Sequence, residues 1–183
     1  MTRIPLVSED AQDPELATIF ARQKQKWGAV LHLHRALAWS PPLLKCWVAF
    51  ATALRFDLGA SRRLRELLIV HIAQRLGATY EYEHHREMAR DEGISEAQIA
   101  ALSNWNSETL FSADEKLMLA LGDELAGGSG ASANTVRALR ERFGERDLLE
   151  FLVTGSYYCA VARVINSLEI ELEPGHEQLR PKK

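Results

Sequence analysis

The run from Arg62 to about Leu76 constrains the fold more than any other stretch. Its apolar residues, Leu64, Leu67, Leu68, Val70, Ile72 and Leu76, fall on more than one face of a helix. A helix that is apolar around most of its circumference has to be enclosed by neighbouring elements. Ser61 supplies the N-cap and Gly77 interrupts the run. The rest of the chain therefore has to wrap this segment.

The remaining punctuation marks helices almost throughout. Asp13-Pro14 opens a helix to about Trp27, where Gly28 breaks it. A second helix covers Ala29 to Trp39, and Ser40-Pro41-Pro42 opens a third that runs to Leu58. After the central run, Thr79 caps a polar helix to about Glu92. The boxes Ser95–Gln98 and Ser112–Glu115 start helices over 96–102 and 113–126. Gly127 to Gly130 follows a helix and has no strand before it, so it reads as a flexible connection and not as a phosphate loop. Ser132 or Ala133 opens a helix to Phe143, and Gly144 turns the chain. A last helix spans about Arg146 to Glu171 and ends at Pro174-Gly175. No sustained apolar alternation marks a strand. The expectation is an all-α single domain of about eight helices over 1–183, with extensions at 1–12 and 175–183.

The charge balance excludes several function classes. With 22 basic and 25 acidic side chains the net charge is −3, too mild for a nucleic-acid partner. The tail Arg180 to Lys183 reads as a frayed terminus and not as a binding arm. The N-terminus turns acidic before any long apolar region develops, and the Leu67–Val70 run is far short of a membrane span. A cytoplasmic protein with no membrane partner is expected. Cys46 and Cys159 form no C-x-x-C and are expected to be reduced, buried, small apolar residues.

Chemistry concentrates between Arg65 and Met88. Glu66 lies among apolar neighbours and points inward, so it needs a partner, most simply a histidine on the following helix. Glu81 and His85 are four residues apart and share a helix face. A carboxylate beside an imidazole orients the ring and raises its proton affinity, which suits proton transfer near neutral pH. Such a pair is also common on a solvated helix face, and the adjacent His84 is an alternative ring. Tyr80 and Tyr82 read as cavity walls or as core aromatics. His32 and His34 are two apart and cannot face one ligand. Adjacent histidines on a helix diverge by roughly 100°. With no H-E-x-x-H present, no metal is expected at Glu81, His84 and His85.

The stretch resembles the carboxymuconolactone decarboxylase and alkylhydroperoxidase D-like superfamily. That family's pattern is a glutamate, then after eleven residues a C-x-x-C, then three residues on a histidine. Glu66 and His85 stand at this spacing, with Ala78 and Glu81 in the cysteine positions. The run Y-E-Y-E-H-H is similar to the Tyr-Glu-Trp-x-His-His string of the cysteine-poor branch. L-H-L-H-R-A-L-A-W-S-P-P-L-L-K resembles that branch's leading helix, and 111–173 its closing three. The resemblance spans about Val30 to Pro174.

This resemblance implies an alkylhydroperoxidase D-like all-α fold, a homo-oligomer (dimer, trimer or hexamer) and a relay of Glu66, His85 and Glu81. It also implies that the family's thiol cycle cannot run here, because no thiol stands at Ala78 or Glu81. The leading expectation is a cofactor-free, decarboxylase-like lyase acting on a small carboxylated lactone or related carbonyl acid. His85 would be the proton donor or acceptor, Glu81 would orient it or act as a second acid–base group, and Glu66 would tune it. Tyr80 and His84 would line the substrate. The alternatives are an antioxidant protein with a degenerate redox site and a non-enzymatic helical scaffold.

Overall fold

The structure, a computed structural model, describes residues 2–176. The expected fraying of Arg180 to Lys183, and most of the 175–183 extension, lies outside the described residues. Among those described, helices account for all regular structure. They are α1 (Pro14–Trp27), α2 (His32–Leu37), α3 (Pro41–Phe56), α4 (Arg62–Arg75), α5 (Thr79–Asp91), α6 (Glu96–Ala101), α7 (Ala113–Gly127) and α8 (Ala133–Leu168). A 3₁₀ turn, Leu102–Ser107, follows α6.

α4 is the axis. Every residue from Leu64 to Ala73 is buried. Leu68 and Ile72 face α7 and α8, Leu67 and Val70 face α5 and α6, and Ile69 reaches the layer formed by α1, α2 and α3. The absence of a polar stripe is thus explained by neighbours on all sides. Two glycines permit the closest approaches. A Cβ on Gly155 of α8 would lie 2.5 Å from Leu125 Cδ1 and 3.3 Å from Leu68 Cδ2. A Cβ on Gly122 of α7 would lie 2.8 Å from the His71 ring.

Most sequence-based boundaries hold to within two residues, and three of the differences have an identifiable cause. Gly144 does turn the chain, with φ 80° and ψ 174° inside α8. α2 begins at His32 and not at Ala29, because the His32 N–H is capped from far along the chain by Glu173 Oε1 at 2.5 Å. α5 is preceded by Ala78, with no side-chain cap, so Thr79 is the first helical residue and not the N-cap. α8 stops at Leu168, three residues before the expected Glu171. Glu169 adopts the left-handed conformation (φ 50°), its N–H bonds Asn166 O, and the Ile170 N–H bonds Ile165 O at 3.1 Å. This is a Schellman cap built without glycine. Burial of Ile170 in the α1–α3 layer offsets the strain.

Cys159 is buried on α8, but Cys46 is exposed on α3, against expectation. α3 turns Leu44, Ala51 and Leu54 inward, which leaves Leu43, Cys46 and Phe50 on its outer stripe. α8 is long and apolar enough to cross a membrane by length and composition, yet half of that window is buried inside the protein.

Candidate functional site

α4 and α5 pack side by side, so Glu66 on one meets His85 on the other. Glu66 Oε2 lies 2.8 Å from His85 Nδ1, and each residue is only 2% exposed. A carboxylate facing Nδ1 assigns the ring proton to that nitrogen and turns Nε2 toward the other side. There His85 borders a small chamber of about 30 Å³, room for little more than one water-sized molecule. Tyr158 stacks edge-on against the ring, with centroids 4.7 Å apart.

The protonation pattern follows from burial and charge. At Glu66 burial acts upward, but its contacts with His85 and the charges of Arg62 and Arg55 outweigh it and hold the carboxyl below its ordinary range. Arg62 Nε is 3.9 Å from Glu66 Oε1. At His85 burial dominates and lowers the ring's proton affinity, against the opposing pull of Glu66. The pair is therefore a carboxylate and a neutral imidazole near pH 7.

Glu81 enters the same chamber but bonds neither partner. It is 2% exposed, and neither carboxyl oxygen has a hydrogen-bond partner. Burial pushes its carboxyl well above the usual range, with only the Arg55 charge opposing. Glu81 is thus a neutral acid, able to donate. The expectation that it orients His85 is corrected here. Sharing a helix face with His85 did not suffice, because the shorter route to Nδ1 runs from Glu66 across the helix interface.

Tyr80 and His84 also border the chamber, but their polar atoms are held elsewhere. The Tyr80 hydroxyl donates to Glu173 Oε1 at 2.5 Å, and His84 Nε2 lies 2.8 Å from Glu173 Oε2. Their rings stack at 4.6 Å. Burial acts upward on Glu173, but the His84 contact, the Tyr80 hydroxyl and the His32 N–H bring its carboxyl down to about 2. Glu173 ties the chain beyond α8 to α5 and α2, which explains why two polar rings are fixed in the wall.

Sequence reasoning missed three groups. Arg55 on α3 borders the chamber and donates from Nε to the Tyr158 hydroxyl at 3.1 Å. Tyr157 presents a buried hydroxyl with no partner. Glu173 completes the wall. A cation following the inward positions Ala51 and Leu54 of α3 was a signal for Arg55. Nothing local marks Glu173, whose partners are 89 to 141 residues away. His34 lines the chamber as well, but its Nδ1 is tied to Gln23 Oε1 at 2.8 Å, and burial lowers it to about 3. His32 bonds Glu171 O, so the two histidines diverge.

Comparison with known proteins places this arrangement. Residues 41–124, which carry Arg55, Glu66, Glu81 and His85, match the carboxymuconolactone decarboxylase family. No curated protein matches the sequence. Among solved structures, an uncharacterized peroxidase-related protein from Ralstonia eutropha JMP134, described as an alkylhydroperoxidase AhpD core, superposes with a TM-score of 0.82 at 16% identity. That match covers 99% of this chain and 98% of the other. An uncharacterized peroxidase-related protein from Silicibacter sp. TM1040 gives 0.80 at 18% identity, covering 96% and 94%. The debrominase Bmp8, solved with 2,3,4-tribromopyrrole, gives 0.78 at 13% identity, covering 96% of each chain. Likeness at these identities carries the fold.

Proposed function

This chain belongs to the carboxymuconolactone decarboxylase and alkylhydroperoxidase D-like superfamily, and within it we propose an acid–base enzyme acting next to a carbonyl group, a decarboxylase-like lyase. The observation that carries the reading is the pairing of a neutral base with a neutral acid in one small chamber. His85 is oriented by Glu66, and Glu81 is buried without a partner. Evolved interiors rarely tolerate an unsatisfied carboxyl, which costs stability and returns nothing unless a ligand meets it. That argues against a purely structural scaffold.

The chemistry balances without a thiol. In a carboxylated lactone or a related carbonyl acid, the bond to the departing carboxylate breaks and carbon dioxide leaves. Its electron pair moves into the neighbouring carbonyl to form an enolate. Glu81 donates a hydrogen bond to the developing oxyanion or gives its proton to carbon, and is reprotonated from water. In the proton-abstraction variant, His85 Nε2 takes a proton from the carbon next to the carbonyl, and Glu66 steadies the imidazolium that forms. The rival antioxidant reading draws little support. Neither cysteine borders the chamber, and burial pushes the Cys159 thiol up.

The test is proton exchange. Carboxylated γ-lactones and 3-oxo acids are incubated with the protein in deuterated water, and solvent-derived deuterium beside the carbonyl and carbon dioxide release are followed by NMR. Wild type is expected to catalyse one or both. His85→Ala is expected to lose roughly 10²–10⁴-fold, the usual worth of a positioned acid–base group, and Glu81→Gln a comparable amount. An inert wild type, or variants that match it, would overturn the reading.

A further inference from the structure

The reactive chamber is too small for the substrate it serves. About 30 Å³ accommodates a reacting group but not a ring with substituents. Next to it, between α1 and α3, runs an open groove of about 500 Å³. The two spaces share Trp27, His34, Ala51 and Arg55 as a common wall. The body of any ligand that presents an atom to His85 therefore has a ready place to lie.

The groove's lining identifies the kind of ligand. It carries four cationic side chains, Arg22, Lys26, Lys45 and Arg55, and no carboxylate. Lys45 is tied to Glu15 at 2.9 Å. Arg22, Lys26 and Arg55 form no ion pair among the described residues. Lys26 lies over the Phe56 ring at 3.4 Å, and burial followed by the Arg55 charge lowers its proton affinity, against the opposing effect of Asp57. Positive charge predominates along this wall, with Glu15, Asp57 and Glu66 acting on single cations from outside the groove lining, and the surplus raises the local concentration of anions. Independently, Gln23 is only 4% exposed, accepts at Oε1 from the His34 ring, and keeps Nε2 without a partner in the groove wall. Its unused group is a donor, as an anion requires. Ile19, Trp27 and Val48 supply apolar surface between these charges.

We propose that the α1–α3 groove binds the body of an aryl or acyl carboxylate, with the carboxylate paired to Arg55 so that the adjoining carbon reaches His85 and Glu81. This rests on the acid–base reading of the chamber and names its substrate class as an amphipathic organic anion, larger than a bare lactone. The Arg55 fork matches a carboxylate in two-point geometry, and its Nε bond to Tyr158 fixes the plane of the fork.

The experiment titrates tryptophan fluorescence, with calorimetry alongside, using 2-naphthoate and its neutral counterpart 2-naphthalenemethanol as probes. Naphthoate is expected to bind at least tenfold more tightly than the alcohol. Arg55→Met is expected to remove that preference, and Lys26→Met to weaken naphthoate a few-fold with a shallower salt dependence. Ala49→Trp, at an exposed groove position, fills the space without removing a charge and is expected to abolish binding of both probes. Equal binding of acid and alcohol overturns the proposal. So does naphthoate binding that survives both Arg55→Met and Ala49→Trp. The readout is binding and not turnover, so the two readings fail separately. A naphthoate preference without any carbonyl-acid chemistry sinks the enzyme and leaves the groove. Lactone turnover indifferent to Ala49→Trp, with no anion preference, sinks the groove alone.

Discussion

Glu81 holds its proton because burial disfavours the carboxylate, and this makes it a source of pH-dependent stability. Its folded pKa is raised above the unfolded value. The stability tied to the protonated form is therefore fully present below the unfolded pKa and is lost as pH rises through the folded one. Relative to Glu81→Gln, which cannot ionise, the denaturant midpoints of wild type are expected to fall as pH rises above about 5. Glu173 behaves in the opposite sense. Its carboxyl titrates near 2 in the fold against an ordinary value of 4.5. Its contribution is present above about pH 5 and fades toward pH 2, and Glu173→Gln is expected to cost about 3 kcal/mol at pH 7 and almost nothing in strong acid. Urea titrations of both proteins across that range measure the difference. At this scale the sequence was informative about Glu66 and His85, because an inward carboxylate among Leu64, Leu67 and Leu68 demands a partner. It marked Arg55 only as a cation beside the inward positions of α3, and it was silent about Glu173, whose role depends on which distant backbone passes it.

At the scale of elements, stability rests on how closely α7 and α8 approach α4. Gly155 to Val places methyl groups where Leu125, Leu68 and Ile72 already stand. Overpacking there is expected to cost about 1–3 kcal/mol. Gly127, at the last position of α7 with open space around its Cα, is the matched control. Gly127→Ala is expected to be neutral or to stabilise by up to about 1 kcal/mol, through helix propensity. Thermal denaturation of the two variants separates crowding from propensity. Most helix starts were legible because caps are local: Asp13, Ser61, Ser95, Ser112 and Ser132 all accept backbone N–H groups as their types suggest. The end of α8 was not. Its Schellman turn uses Glu169, which no local preference favours in the left-handed region, and only the burial of Ile170 makes it worthwhile.

On the scale of the whole molecule, an outer apolar face remains to be accounted for. Phe50 and Leu149 are 46% and 61% exposed, and Leu152 and Val153 continue the same surface. We propose that a second copy of this chain packs on that face, as the homo-oligomer implied by the family resemblance would require. Sedimentation velocity is expected to show a wild-type species heavier than the monomer and a lighter one for Phe50→Ser with Leu149→Ser; a monomeric wild type would overturn this. The sequence by itself determined the all-α architecture and its enclosed central helix, since periodicity, caps and glycine stops act over a few residues. It also determined that no cysteine pair stands at the reactive position, because Ala78 and Glu81 can be read directly. Only the tertiary structure decided that Glu66 and not Glu81 holds the imidazole, that Glu81 is left as an unpartnered acid, and that a cationic groove opens beside it. Those outcomes depend on distances across helix interfaces and on how completely water is excluded, and neither quantity is encoded in any single stretch of chain.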